Sequence, residues 1–397
     1  MEKQEFIGFG GSFTDSSGYN YALMTAEDKK KTLELLFGET GLKYRFCRLC
    51  IGSSDFATEE YCYVKEGDER LESFSIDRDK KYVIPFIKDA MAYAKYPITF
   101  IASPWSPPAF MKTNACRFEG GKLKKEYYEV YAEYLIKFLL AYKEEGIDIS
   151  MLTLQNEAKA VQTWESCVYT AEEEAEFACV LSECLDKYNL NVQLLCWDHN
   201  KERLYDRASA IFEKCGDKMS GIAFHWYSGD HFEAIDMLRK LYPNKLLLET
   251  EFCKTDGGLD FVETSYAREV INNLSHGAHG ICEWNLILDE NGGPYHNRGG
   301  SIASPVRFDG NTCRATSIYR EMYMFSHFIA DGAKALYTST FDVGVFVSAF
   351  KNPNGEIVVN ILNELDREFP YVKVYVNGQF VAVPLKAKSL LTVVLEN

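Results

Sequence analysis

The sequence predicts a (β/α)8 barrel followed by a small C-terminal antiparallel β-sandwich domain, and three observations carry that prediction. Eight short apolar segments alternate with amphipathic helical stretches as far as about residue 331. Several of them, such as Leu246-Leu247-Leu248 and Ile98-Thr99-Phe100-Ile101-Ala102, are continuous apolar runs, as parallel strands covered on both faces require. After Gly332 the apolar period drops to two and turn residues multiply, which marks antiparallel strands. The domains expected are 1–331, the α/β barrel, and 332–397, the side domain packed on it.

The predicted barrel strands are Glu5–Gly11, Tyr44–Ile51, Pro97–Ser103, Ser150–Gln155, Val192–Asp198, Gly221–Trp226, Lys245–Glu251 and Gly280–Asn285. Between them Lys125–Glu145 places Tyr131, Tyr134, Leu135, Phe138 and Tyr142 on one helical face. Thr170–Tyr188 opens on the capping pattern Thr170-Ala-Glu-Glu173. Further helices are expected over Asp230–Leu241 and from about Arg314 to Ala330. An open doubly wound sheet would carry a G-x-G-x-x-G turn after its first strand, and Gly8-Phe9-Gly10-Gly11-Ser12 does not continue that way. These glycines are read as allowing close backbone approach and carrying no chemistry. In the small domain, strands are expected over Val343–Phe350, Ile357–Leu362, Tyr371–Val376, Phe380–Val383 and Leu390–Leu395, with turns at Asn352-Pro-Asn-Gly355 and Asn377-Gly378.

The net charge of −15 disfavours nucleic acid and anionic membrane surfaces as partners. No apolar run approaches a membrane span, and the chain opens without an apolar leader segment, so a cytoplasmic location is expected. The 12 cysteines are scattered, most of them inside apolar runs, where a thiol acts as a small hydrophobe. Cys47 and Cys50 lie three apart on a predicted strand and so face opposite ways. No metal and no cofactor is expected. Asn273-Leu-Ser275 fits a glycosylation sequon but falls in a predicted helix.

Active-site groups of such a barrel sit at the C-terminal strand ends. Those ends carry Arg48 with Ser54-Asp55-Phe56, Ser103-Pro104-Trp105, Gln155-Asn156-Glu157, Trp197-Asp198-His199, His225-Trp226-Tyr227, Glu249-Thr250-Glu251 and Glu283-Trp284-Asn285. Carboxylates, an amide and four tryptophans are thereby expected at one mouth, a set suited to sugars. Glycoside hydrolysis needs one carboxyl to protonate the leaving oxygen and a second to meet the oxocarbenium-like centre. Glu157 and Glu251 end strands four and seven, which lie nearly opposite. Burial beside a second carboxylate predicts a Glu157 pKa above the ordinary Glu value.

Several motifs occur together: Gly8-Phe9-Gly10-Gly11, Ala102-Ser103-Pro104-Trp105-Ser106-Pro107, Gln155-Asn156-Glu157, Gly221-Ile222-Ala223-Phe224-His225-Trp226-Tyr227, and Trp284-Asn285-Leu286 with Gly292-Gly293-Pro294. In this order they resemble glycoside hydrolase family 30, the glucosylceramidase-like (acid β-glucosidase) enzymes. The resemblance implies a retaining mechanism with Glu157 as general acid/base and Glu251 as nucleophile, Glu249 being the fallback, on the same side and one layer deeper. It implies that Asn156 meets the sugar 2-hydroxyl, that Asp55 and Trp105 hold the outer hydroxyls and that Trp284 lines the same subsite. Tyr227 would hydrogen-bond the nucleophile, Arg48 would keep it ionised, and His225 would orient its neighbours. The substrate implied is a β-D-glucoside, with a β-D-xyloside or another β-glycan as the alternative and a non-catalytic carbohydrate-binding relative less favoured. The chain departs from the family at Ala158, where proline is usual, and in the glycine-rich loop Tyr295–Gly300, which bears on the choice between hexose and pentose.

Overall fold

The computed structural model describes residues 2–254, 265–298, 301–376 and 378–396. Strand β1 (Glu2–Glu5) is followed by eight parallel strands that close into a barrel. These are β2 (Gly8–Phe13), β3 (Phe46–Ile51), β4 (Thr99–Pro104), β5 (Ile149–Thr153), β6 (Gln193–Asn200), β7 (Gly221–His225), β8 (Leu246–Glu251) and β9 (Gly280–Asn285). The sequence merges two elements at its start: Glu2–Glu5 pairs with the small sheet, and the barrel begins only at Gly8. One side chain from each of β3 to β9 (Phe46, Ile101, Met151, Leu195, Ala223, Leu248 and Cys282) fills the barrel interior. Strand β2 approaches too closely to add another. A Cβ on Gly10 would lie 1.6 Å from the Phe46 carbonyl oxygen.

Around the barrel run α1 (Asp15–Leu23), α2 (Ala26–Phe37), α3 (Val83–Tyr93), α4 (Tyr128–Glu144), α5 (Ala171–Lys187), α6 (Leu204–Cys215), α7 (Phe232–Leu241) and α8 (Ser265–His276). The Tyr131, Tyr134, Leu135, Phe138 and Tyr142 stripe of α4 is wholly buried. Helix α5 starts on a complete capping box, Thr170 accepting from Glu173 N and Glu173 from Thr170 N. The sequon asparagine Asn273 is buried within α8. All twelve cysteines are free. Cys47 joins the layer between strands and helices, and Cys50 packs on the opposite side against the tryptophans of the mouth. Among the described residues no helix is long and apolar enough to cross a membrane.

Beyond the barrel, β10 (Ile287–Asp289), β11 (Val306–Phe308) and β12 (Cys313–Ala315) form a small sheet beside its mouth. Strand β12 takes the first residues of the helix expected from Arg314, because Cys313 and Arg314 pair in register with Phe308 and Arg307. Helix α9 is therefore shorter, Ser317–Ser326. The strands β13 (Lys334–Leu336), β14 (Val345–Lys351), β15 (Ile357–Asn363), β16 (Phe369–Val376), β17 (Gln379–Leu385) and β18 (Ser389–Leu395) follow. Sheet β1-β13-β14-β15-β18 faces the β16-β17 hairpin across a core built on Ala349, Ile357, Val359, Ile361 and Leu385. Of the turn expected at Asn377-Gly378, Asn377 lies outside the described residues.

Candidate active site

The floor of the mouth is a buried polar layer built from inward side chains of six strands, β3 to β8. Arg48 of β3 donates to Ser103 Oγ on β4 (3.1 Å), Asn156 Oδ1 (2.7 Å), Asp198 Oδ2 on β6 (2.9 Å) and Glu251 Oε2 on β8 (2.6 Å). Asp198 also accepts from Ser103 Oγ (2.8 Å), Thr153 Oγ1 (2.7 Å) and Thr250 Oγ1, and meets His225 Nε2 at 3.1 Å. Burial alone would favour a neutral Asp198. The Arg48 charge, the His225 contact and the hydroxyl donors outweigh it and hold Asp198 far below the usual carboxylate range. Arg48 and Asp198 are both fully buried, so removing the guanidinium strands two acids. Arg48→Met is expected to lower stability by about 3–5 kcal/mol, read as an earlier urea midpoint.

Glu157 follows β5 on a strained turn. Its φ is +50°, that of Trp197 is +72° and that of Asp198 is +47°, conformations costing non-glycine residues roughly 1–3 kcal/mol each. They are locked together: Glu157 N donates to Asp198 O (2.8 Å), and Asn156 N to Pro104 O (2.8 Å). Trp197 N donates to Glu174 Oε1 (2.5 Å). The register shift in the β6–β7 pairing between Trp197 and His199 turns Asp198 inward.

The Glu157 carboxylate lies 3.5 Å from His225 Nδ1 and 3.6 Å from His199 Nδ1. Burial works to raise its pKa, but His225, His199 and Arg48 outweigh burial and hold it below the ordinary Glu range. That reverses the direction expected from the sequence, which could not show the imidazoles. Burial likewise opposes charge on His225, yet Glu251, Asp198 and Glu157 raise it to about 9. The proton of this cluster therefore rests on His225, within reach of Glu157.

Glu251 is held from two sides, by Arg48 on Oε2 and by the Tyr227 hydroxyl on Oε1 at 2.9 Å. Glu249 does not lie beneath it. Leu248 fills the barrel interior, so Glu249 faces the helix layer, beside Glu269, Lys201 and Asn273. Burial and the Glu269 charge push the Glu249 pKa well above the carboxylate range. The register shift between β7 and β8, where His225 pairs with Glu251, brings Glu251 to the mouth and leaves Glu249 behind.

Only two of the four strand-end tryptophans reach the mouth. Trp105 and Trp284 stack at 5.2 Å between ring centroids, with the Arg48 guanidinium 4.7 Å from the Trp105 ring. Trp197 is buried against Arg207, its Nε1 donating to Asn200 O. Trp226 packs on Phe252 and Tyr266. Each was displaced by strand alternation, which a bulge can reset and a sequence does not reveal. Trp164, missed because it follows Glu157 on a long loop with no periodic signal, joins the cluster with Phe56 and Tyr295. Asp55 is pushed up to about 7 by burial, against the pull of Arg298 at 3.4 Å. Arg48, Asp55, Trp105, Asn156, Glu157, His225, Tyr227, Glu251 and Trp284 thus surround one mouth. Of the loop Tyr295–Gly300, Gly299 and Gly300 lie outside the described residues.

Glu157, His199 and His225 place three donor atoms within 4.8 Å of one another. Below its pKa of about 9 the His225 imidazolium has no lone pair to offer, so a cation there would first have to displace its proton.

Residues 6–329 match the family described as the glycosyl hydrolase family 30 TIM-barrel domain. Putative glucosylceramidase 3 of Caenorhabditis elegans is 34% identical over 316 residues, 73% of this chain and 60% of that protein. SrfJ from Salmonella typhimurium superposes with a TM-score of 0.96 at 34% identity, covering 100% of this chain and 91% of that one. The endo-β1,6-glucanase BT3312 gives 0.89 at 28% identity, covering 98% and 92%. A closed barrel with this match along most of its length leaves one assignment: the chain belongs to glycoside hydrolase family 30 and is a glycosidase acting on carbohydrate.

Proposed function

We propose that the chain is a retaining β-D-glucosidase that works by double displacement, with Glu251 as nucleophile and Glu157 as acid/base. The observation that carries this reading is the different company of the two glutamates. Glu251 is fixed by Arg48 and the Tyr227 hydroxyl, which suits attack by a pre-oriented carboxylate at the anomeric carbon. Glu157 faces His225 and His199, which suits proton exchange. In the first step Glu251 bonds to the anomeric carbon while Glu157, charged with the proton held by His225, protonates the departing oxygen. In the second, Glu157 takes a proton from water, which attacks the same carbon and releases Glu251. Trp105 and Trp284 offer an apolar wall to the sugar, Asp55 its outer hydroxyl contact, and Asn156, oriented by Arg48, its 2-hydroxyl contact.

A second reading, an endo-β-1,6-glucanase, is favoured by the likeness to BT3312. A panel of aryl β-D-glucoside, aryl β-D-xyloside and a β-1,6-linked glucan separates the readings. Release of aglycone from the glucoside, fastest of the three, is the expected result; faster cleavage of the glucan supports the alternative. Inertness on every β-linked sugar would sink both. Proton NMR of the first-formed sugar is expected to show the β-anomer, and an α-anomer would exclude retention.

A further inference from the structure

The loop leading out of β10 crosses the mouth beside Asp55 and is tied to helix α1 and to two other loops. Asn20 Nδ2 donates to Gly293 O (2.9 Å) and Ser16 Oγ to Pro294 O (2.5 Å) from α1. His296 N donates to Asp55 O (2.9 Å) on the loop after β3. On the loop after β5, Thr163 Oγ1 donates to Asn297 O.

The His296 ring is the centre of this knot. Its Nδ1 lies 3.0 Å from Ala57 O, and its Nε2 lies 3.0 Å and 3.1 Å from the two carboxyl oxygens of Glu165. A carbonyl oxygen and a carboxylate can only accept from it, so both ring nitrogens must be donors, and only the imidazolium has two. The Glu165 side chain is fully buried and also takes Ser53 Oγ, with Arg117 Nη1 3.7 Å away. The charged groups facing His296 are Glu165 and, more distantly, Asp55, with Arg117 and Arg298 behind each.

We propose that His296 is a positioning residue held as an imidazolium, and that its charge clamps residues 293–298 across the sugar pocket, setting Asp55 and Arg298 in place. The inference rests on the reading of Asp55 as a sugar contact. Burial opposes the charge, but Glu165, the Ala57 carbonyl and Asp55 outweigh burial and raise the His296 pKa above its ordinary value. Below that raised pKa the clamp is closed. Above it one ring nitrogen turns a lone pair toward an oxygen, and the loop loosens.

Two measurements test this. The first needs no activity: nitrogen NMR of the histidines, with the His296 signal assigned by its loss in His296→Gln. Both ring nitrogens are expected to be protonated at pH 7.5. In Glu165→Gln the titration midpoint is expected to fall by about one pH unit or more; a neutral ring, or an unmoved midpoint, overturns the clamp. The second compares pH profiles on an aryl β-D-glucoside. The wild-type KM is expected to rise roughly ten- to a hundredfold through the His296 titration, the worth of one charge-assisted hydrogen bond. In His296→Gln, KM is expected to be high and flat in pH, while the alkaline limb of kcat is unchanged. A wild-type KM profile in His296→Gln overturns the proposal. Inactivity of the wild-type enzyme would sink the assignment of function and leave the NMR test standing.

Discussion

Glu251→Gly is expected to lose turnover by about 10⁴-fold or more, while circular dichroism and the melting curve stay close to wild type. The loss follows from geometry. Arg48 and Tyr227 converge on the two oxygens of this one carboxyl, and Glu249, turned to the helices, has no route to the sugar. Glycine leaves a space beside the anomeric carbon that azide can enter. An activated aryl β-glucoside with azide is then expected to give the α-glycosyl azide, because the small anion attacks from the nucleophile's face. A β-azide from this variant would mean that the two glutamates have exchanged roles. Full activity would remove Glu251 from the chemistry.

The second large effect is at Glu157. Glu157→Ala is expected to lower kcat/KM by about 10²–10⁴-fold for glucosides with poor leaving groups and far less for those whose aglycone departs without a proton. Azide should now return the β-glycosyl azide, since it replaces water on the glycosyl-enzyme from the opposite face. Equal losses for good and poor leaving groups would contradict the acid role. In the wild type the alkaline limb of kcat is expected near pH 9, where His225 gives up the shared proton. Glu157 and His225 titrate as a pair, so this midpoint belongs to both. A limb near the ordinary Glu value would separate Glu157 from His225. Neither glutamate variant is expected to depend on added metal.

The two acids were legible because strand ends in a barrel are chemical positions and both acids stand at the close of an apolar run. Their setting was less so. Asp198 accepts from five side chains, yet in the sequence it is an aspartate after a tryptophan, equally able to cap the next helix. The partners that order the mouth come from 24 to 203 residues away along the chain, from Tyr227 with Glu251 (|i−j| = 24) to Arg48 with Glu251 (|i−j| = 203). No local period records such pairings.

What the sequence determined by itself was the run of strands and helices, the switch to period two after Gly332, and the two glutamates at opposite strand ends. Those features depend on burial of alternating or continuous apolar faces, and burial leaves its mark residue by residue. Only the tertiary structure decided which side chains turn inward. The shifts of register at Trp197–His199 and at Glu249–Glu251 reset strand alternation, sending Glu251 to the mouth and Glu249 away from it. Only the tertiary structure, too, set the charge of Glu157, because burial of a lone acid favours the neutral form while a neighbouring imidazolium favours the anion. Which of these wins is a matter of a few ångströms between β5 and β7.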